Sequence, residues 1–233
     1  IMMRFGVFIL LFSTLIFVFT SCNDSNVIDS KNPNAAYFYP VDTIPKIYLY
    51  RDVTGGLEEE FHRIYALKDQ AGEHLIVEVY ASDGRIREAY NYNVDSLNLQ
   101  DYMVVDVNQE KEKTLLYKDK LFPMNLKEKT WFAAKFRGVV DSTVLLSEVK
   151  RQFTKKTAHQ VIEDELETLV FSDDLRLTLL NPFSRKENSK RKKRSSYFSE
   201  GFGLVEWHSL NKKVHYRLEQ VLSQQEWIKM ITR

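Results

Sequence analysis

A period of two constrains this chain most. From Leu75 to Tyr92 apolar and polar residues alternate on both sides of Asp83-Gly84. This is the spacing of half-buried strands, and the dipeptide suits the positive backbone angles of a tight reversal. Pairing Ser82 with Arg85 puts Leu75, Val77, Val79 and Ala81 on one face together with Tyr92, Tyr90, Glu88 and Ile86. Glu88 is the only misfit in that apolar set. A slip of one residue would scatter the set over both faces, so turn and pattern specify the same hairpin.

A second hairpin is expected from Gly203 to Val221, reversing around Asn211-Lys212. Pairing Leu210 with Lys213 sets Val205 against Leu218 and Trp207 against Tyr216, with Glu206 against Arg217 on the other face. A two-residue turn and a four-residue loop satisfy that register equally. Further strands are expected at Lys46–Val53, Phe61–Leu67, Met103–Val107, Leu115–Lys118, Trp131–Arg137, Val144–Phe153, Gln160–Ile162 and Leu175–Leu180. Helix is expected at the end, where Ser223 and Glu226 form a capping box and Trp227 and Ile231 lie one turn apart. The fold class is therefore mainly β: a curved antiparallel sheet, half-barrel or sandwich-like, with a short C-terminal helix.

The N-terminal region has a different character. Met2-Met3-Arg4 precedes an apolar run from Phe5 to Phe19, followed by Thr20-Ser21-Cys22, the charged, apolar and small-residue order of a secretory signal. The run is 15 residues long, short of the roughly 20 that span hydrocarbon. Phe19-Thr20-Ser21-Cys22 resembles the bacterial lipobox, with Phe19 where that motif usually has an aliphatic residue. The resemblance implies cleavage before Cys22 and covalent lipid, such as palmitate, on its thiol. Cys22 is also the only cysteine, so no disulfide within the chain competes for it. Three parts are expected: a signal peptide (1–21), a lipidated cysteine with a polar tether (22–36), and one β-rich domain (37–233). By resemblance to lipoproteins of Bacteroidota-type envelopes, the expected location is the outer membrane facing the periplasm.

Removing residues 1–21 takes Arg4 from the 33 basic residues and nothing from the 32 acidic ones, so the signs balance and nucleic acid is not an expected partner. The balance hides a polarised molecule. Between Ser184 and Arg194 stand Arg185, Lys186, Lys190, Arg191, Lys192, Lys193 and Arg194 against the single acid Glu187. Two readings follow: a solvated loop between strands, or contact with anionic headgroups at about 1 kcal/mol per basic residue.

The stretch Tyr197-Phe198-Ser199-Glu200-Gly201-Phe202-Gly203-Leu204-Val205-Glu206 resembles a motif near the C-terminus of exported β-proteins, themselves similar to the half-barrel sheets of periplasmic lipoprotein carriers. The resemblance implies a sheet curving around an apolar interior and supplies no catalytic residue. Its glycines suit a bulge or sharp bend.

Chemistry-bearing motifs are few. Gly201-x-Gly203 lacks the third glycine of a dinucleotide fingerprint, where Glu206 stands, and is followed by strand pattern; phosphate-loop, nucleophile-elbow and zinc-helix motifs do not occur. The second hairpin's register sets His208 opposite His215, a pair that can ligate a metal but needs a third or fourth ligand. Glu58-Glu59-Glu60 and Glu163-Asp164-Glu165 lack the spacing of a calcium loop and read as solvated turns. Ser142 and Ser147 have no local partner for a triad. The expectation is a non-enzymatic module binding an apolar ligand, a lipid or an envelope protein, with membrane lipid engaged through the anchor and no cofactor beyond the lipid on Cys22. The alternative is an envelope hydrolase whose site is dispersed in sequence.

Overall fold

A computed structural model describes residues 30–106, 108–138, 142–184 and 186–232; the expected signal, Cys22 and Arg185 lie outside these. Thirteen strands follow one another: β1 (Lys46–Asp52), β2 (Glu60–Asp69), β3 (Gly72–Ala81), β4 (Ile86–Asn93), β5 (Leu99–Val105), β6 (Lys111–Lys113), β7 (Leu115–Asp119), β8 (Thr130–Arg137), β9 (Val144–Val161), β10 (Asp164–Asn181), β11 (Lys186–Ser199), β12 (Gly203–Ser209) and β13 (His215–Ser223). Helix α1 (Gln224–Ile231) ends the chain's regular structure.

All thirteen strands belong to one antiparallel sheet in the order β6-β5-β4-β3-β2-β1-β13-β12-β11-β10-β9-β8-β7. Two meanders are thus joined where the first strand pairs with the last, Lys46 opposite Ser223. The topology forces curvature. The two edge strands, β6 and β7, are neighbours in the chain with only Thr114 between them, so the sheet must curl until its edges meet, in the direction its twist favours. At the seam the Thr114 N–H and hydroxyl both donate to Tyr102 O, at 2.9 and 3.0 Å. Tyr102 also meets Phe132 edge-on at 5.4 Å, and the Arg137 N–H donates to Glu112 Oε1 at 3.0 Å. β6 and β7 do not pair, so the sheet remains open, and its form is the half-barrel rather than the sandwich.

Curling gathers the inward residues of both meanders into one core, from Tyr48, Tyr50, Leu75 and Val77 on one side to Phe132, Leu169, Phe171 and Phe198 on the other. One end is plugged by Phe38, which contacts Tyr92, Phe122 and Phe198 at ring distances of 5.0, 4.8 and 6.2 Å. A smaller core lies on the outer face, where Trp227 of α1 covers Ile47, Leu49, Phe61 and Leu222. Strand β1 is therefore buried on both faces, which explains its uninterrupted run Ile47-Tyr48-Leu49-Tyr50. The helix is held by the expected capping box, with Ser223 Oγ accepting from the Glu226 N–H. Both cores and the residues packed against them fall between Ala35 and Ile231, so the described unit from Ser30 onward has its own interior.

The second hairpin has the expected register, and the first has it as far as Val79, beyond which Ile86 faces Tyr80 instead of Ala81. Leu75 faces Tyr92, Val77 faces Tyr90 and Val79 faces Glu88. The reversal is longer than a two-residue turn: the Ala81 N–H donates to Arg85 O across Ser82-Asp83-Gly84, Gly84 has φ 77°, and a bulge shifts the register after Val79. This is the three-residue loop that places glycine in the left-handed region. In the second hairpin Glu206 faces Arg217, Trp207 faces Tyr216 and His208 faces His215. There the Ser209 N–H donates to Val214 O, selecting the four-residue loop.

Three expectations need correction. Residues 30–36, read as tether, are bound to the body: Ser30 Oγ donates to Val94 O at 2.5 Å and Asn34 Nδ2 to Pro123 O at 3.1 Å, while Asn32 is buried and Ala35–Tyr37 form a turn of 3-10 helix. Polar side chains bring this segment in by satisfying loop carbonyls, a route that apolar content does not reveal. The basic run is no loop, since Lys186–Arg194 is the first part of β11, paired with β10 from Asn181 to Asp173. Finally, Glu60 is not a solvated turn residue; it opens β2 and faces the interior.

Candidate functional site

The core does not fill the curl. A cavity of about 340 Å³ remains between the two meanders, within the range that holds small ligands. β3 and β4 supply Val77, Val79, Glu88, Tyr90 and Tyr92; β5 and β8 supply Tyr102 and Phe132; β9 and β10 supply Ser147, Val149 and Leu175; β12 supplies Trp207. Phe38, Tyr39, Leu121 and Phe198 form the plugged end. Aromatic rings form part of the wall: Tyr90 stacks on Tyr102 at 4.8 Å, and Trp207 is backed by Tyr216 at 4.9 Å.

Three polar groups interrupt this wall. The first is Glu88. Burial raises its carboxyl pKa above the usual range, although Tyr102 donates a hydrogen bond to it at 2.5 Å. The second is His62, whose Nδ1 meets Tyr39 Oη at 3.0 Å and whose Nε2 meets Glu60 Oε1 at 2.8 Å. Both ring nitrogens are committed, so His62 is not placed as a base for Ser147, although both line the cavity.

The third is a charge cluster. Arg151 grips Asp173 with two bonds, Nε to Oδ1 at 2.7 Å and Nη2 to Oδ2 at 2.9 Å, while Nη1 donates to Leu121 O at 3.0 Å. Arg194 Nε and Ser196 Oγ add bonds to Asp173 Oδ2 at 3.0 and 2.7 Å. Burial alone would raise the Asp173 pKa, but the charge and hydrogen bonds of Arg151, aided by Arg194, outweigh it and hold the carboxyl well below the ordinary range. The Arg151 guanidinium also lies 4.8 Å from the Phe198 ring centre. Arg151 and Arg194 both face the cavity.

The long strands carry the sheet past the open end. From Leu175 to Asn181, β10 runs on between β9 and β11, about 20 Å of ledge at strand spacing. Cross-strand partners share a face, so Leu175 and Leu177 sit beside Lys192 and Lys190 on the cavity side. The opposite face is ion-paired: Arg176 Nη2 reaches Glu187 Oε1 at 2.9 Å, and Arg191 pairs with Asp174. The basic run is thus divided, with Arg194 in the cavity wall, Lys186, Lys190 and Lys192 on the inner ledge, and Arg191 and Lys193 outside.

His208 and His215 meet edge-on across the ribbon, with ring centres 5.3 Å apart. His215 Nε2 meets Glu206 Oε1 at 2.9 Å, and His208 Nε2 meets Tyr197 Oη at 3.3 Å. Among the described residues no group of three or more His, Cys, Asp or Glu converges on a metal position. Glu206 also pairs with Arg217 at 3.0 Å and lies 3.2 Å from His159. Burial opposes the charge on Glu206, but the close approach of His159 and the hydrogen bonds from His215 and Arg217 bring its pKa to about 2. This cluster ties the end of the β9–β10 hairpin to β12 and β13. The neighbouring groove of about 440 Å³ is lined by Arg51, Arg217 and Glu219, whose charges are already paired.

The glycines of the expected bend earn their place through the N-terminal segment. The Gly201 N–H donates to Ala36 O at 2.8 Å. Gly203 has φ 82°, and a Cβ there would lie 2.7 Å from the Tyr39 backbone nitrogen. Only glycine permits that strap to pass.

No family model and no curated protein matches the chain. Two solved structures do. One, a proposed lipoprotein from Parabacteroides distasonis, matches with a TM-score of 0.50 at 11% identity, over 84% of this chain and 100% of that one. The other, a proposed exported protein with a YmcC-like fold from Bacteroides fragilis, matches with a TM-score of 0.40 at 12% identity, over 80% and 99%. The chain shares its fold with the first. Among the described residues no helix is long and apolar enough to cross a membrane.

Proposed function

We propose that this chain is a lipid-anchored protein of the bacterial cell envelope that holds a small apolar ligand inside its curled sheet. The cavity carries the reading. A sheet with this many inward aromatic residues could have closed its core; instead about 340 Å³ stays open beside a ledge of leucines, an arrangement suited to a ligand that enters from one end. The anchor rests on Phe19-Thr20-Ser21-Cys22, and outer-membrane location facing the periplasm belongs to the same proposal. The likeness of fold to a proposed lipoprotein supports this address.

The test is binding of N-phenyl-1-naphthylamine, a neutral apolar fluorophore, to the chain from Ser30 onward. Saturable one-to-one enhancement is expected. Ser147→Trp, which puts an indole into the cavity, should abolish it while the melting temperature stays within a few degrees of the parent. Unchanged binding in that variant, or linear enhancement without saturation, would refute the proposal.

A further inference from the structure

We infer that the ligand is an amphiphile bearing an anionic group, which Arg194 receives at the cavity wall with Lys192 beside it at the mouth. The inference rests on the cavity being the ligand site and adds the ligand's chemistry.

The first argument is the charge balance. Two guanidinium groups, Arg151 and Arg194, share one carboxylate, Asp173, so one positive charge of this cluster lacks a partner of its own; Glu60, also in the wall, is engaged by His62 and lies 3.8 Å from Arg87. Arg151 is fully engaged, with Nε and Nη2 on Asp173 and Nη1 on a backbone carbonyl. Arg194 is not: Nε binds Asp173, and its terminal nitrogens Nη1 and Nη2 make no hydrogen bond to the described residues. A half-buried guanidinium with free donors, whose counter-charge is shared with a second guanidinium, is costly unless an anion completes it. Its fork geometry suits a carboxylate or a phosphate.

Register supplies the second argument. Lys192 and Lys190 follow Arg194 on the same face of β11, beside Leu175 and Leu177 of β10. Between Leu175 and Asn181 no acid shares that face of β10 and β11, whereas the opposite face is charge-paired. Positive charge and apolar surface therefore run side by side along the ledge and into the cavity, which is the pattern an anionic amphiphile fits. Glu88, on another part of the wall, is held by Tyr102, and burial raises its carboxyl pKa above the ordinary range.

The experiment displaces N-phenyl-1-naphthylamine from the chain starting at Ser30 with decanoate, decyl phosphate or decanol. At low salt at least one anion should bind about tenfold or more tightly than decanol, and the better of the two identifies carboxylate or phosphate as the group received. Arg194→Gln should bring both anions to within about twofold of decanol and leave decanol unchanged, while Arg194→Lys keeps part of the preference. Should Arg194→Gln not fold, Lys192→Gln decides: its exposed side chain makes no hydrogen bond to the described residues, and the anion preference should fall about two- to threefold. Equal affinity of decanol and both anions in the parent, or an anion preference untouched by these variants, would overturn the inference while the cavity reading stands. If none of the three compounds displaces the fluorophore, the cavity reading falls with it.

Discussion

At the residue scale the informative positions are those where a local rule is broken. An acid on the inward face of an otherwise apolar hairpin is such a break, and Glu88 was visible as a misfit from register alone. The structure gives it a reason, since it lines the cavity and accepts from Tyr102. Its effect on stability follows from linkage. A carboxyl whose pKa is raised on folding imposes no penalty while both states are protonated. It destabilises the fold as pH rises above the unfolded value of about 4.3, where the unfolded chain ionises first. Glu88→Gln keeps an acceptor for Tyr102 and removes the charge. The variant should match the parent's melting temperature near pH 4 and exceed it at pH 7.5, measured by thermal denaturation at both values. A difference of the same size at both would contradict this assignment. Asp173 and Arg151 gave no comparable signal: charged residues in a strand read as surface until the fold places them together, and their bidentate pairing depends on two strands meeting.

At the scale of elements, alternation and turn chemistry specified both hairpins, the capped helix and most strands, because each is a local pattern. Strand β11 escaped for a physical reason. Consecutive lysines and arginines have no period of two, and like charges side by side favour an open chain in water. Pairing with β10 overrides that tendency by giving the strand Leu175, Leu177 and Leu179 as neighbours on one face and Asp174 as an ion-pair partner on the other. The same charges do a second job. From Lys186 to Lys192 the other side of β11 has no strand beside it, since β12 pairs only from Arg194 onward, and lysines on a free edge oppose pairing between molecules. Replacing Lys186, Lys190 and Lys192 together with threonine should therefore promote self-association, seen as faster sedimentation with rising concentration. A variant that sediments like the parent at every concentration would show that the edge is protected by other means. The tether boundary was hidden too, because Ser30, Asn32 and Asn34 dock through hydrogen bonds to loop carbonyls and leave no apolar trace.

At the scale of the whole molecule the curl itself was only partly legible. Curvature could be read from the glycines near Gly203, but the near-closure depends on β1 pairing with β13 and on the two edges being chain neighbours, and no local pattern encodes a pairing over such a distance. From that closure comes the enclosed space on which the functional reading turns. The tryptophans allow it to be probed directly: Trp207 lines the cavity, Trp131 is on the outer face and partly exposed, and Trp227 is the buried residue of α1 in the outer core. A chain from Ser30 onward with Trp131→Phe and Trp227→Tyr keeps Trp207 as its only indole. Titrated with 10-bromodecanol, whose bromine quenches on contact, its fluorescence should fall along a saturable curve. A chain keeping only Trp131 should show weak, linear quenching. Linear quenching of equal slope in the two chains would contradict the account.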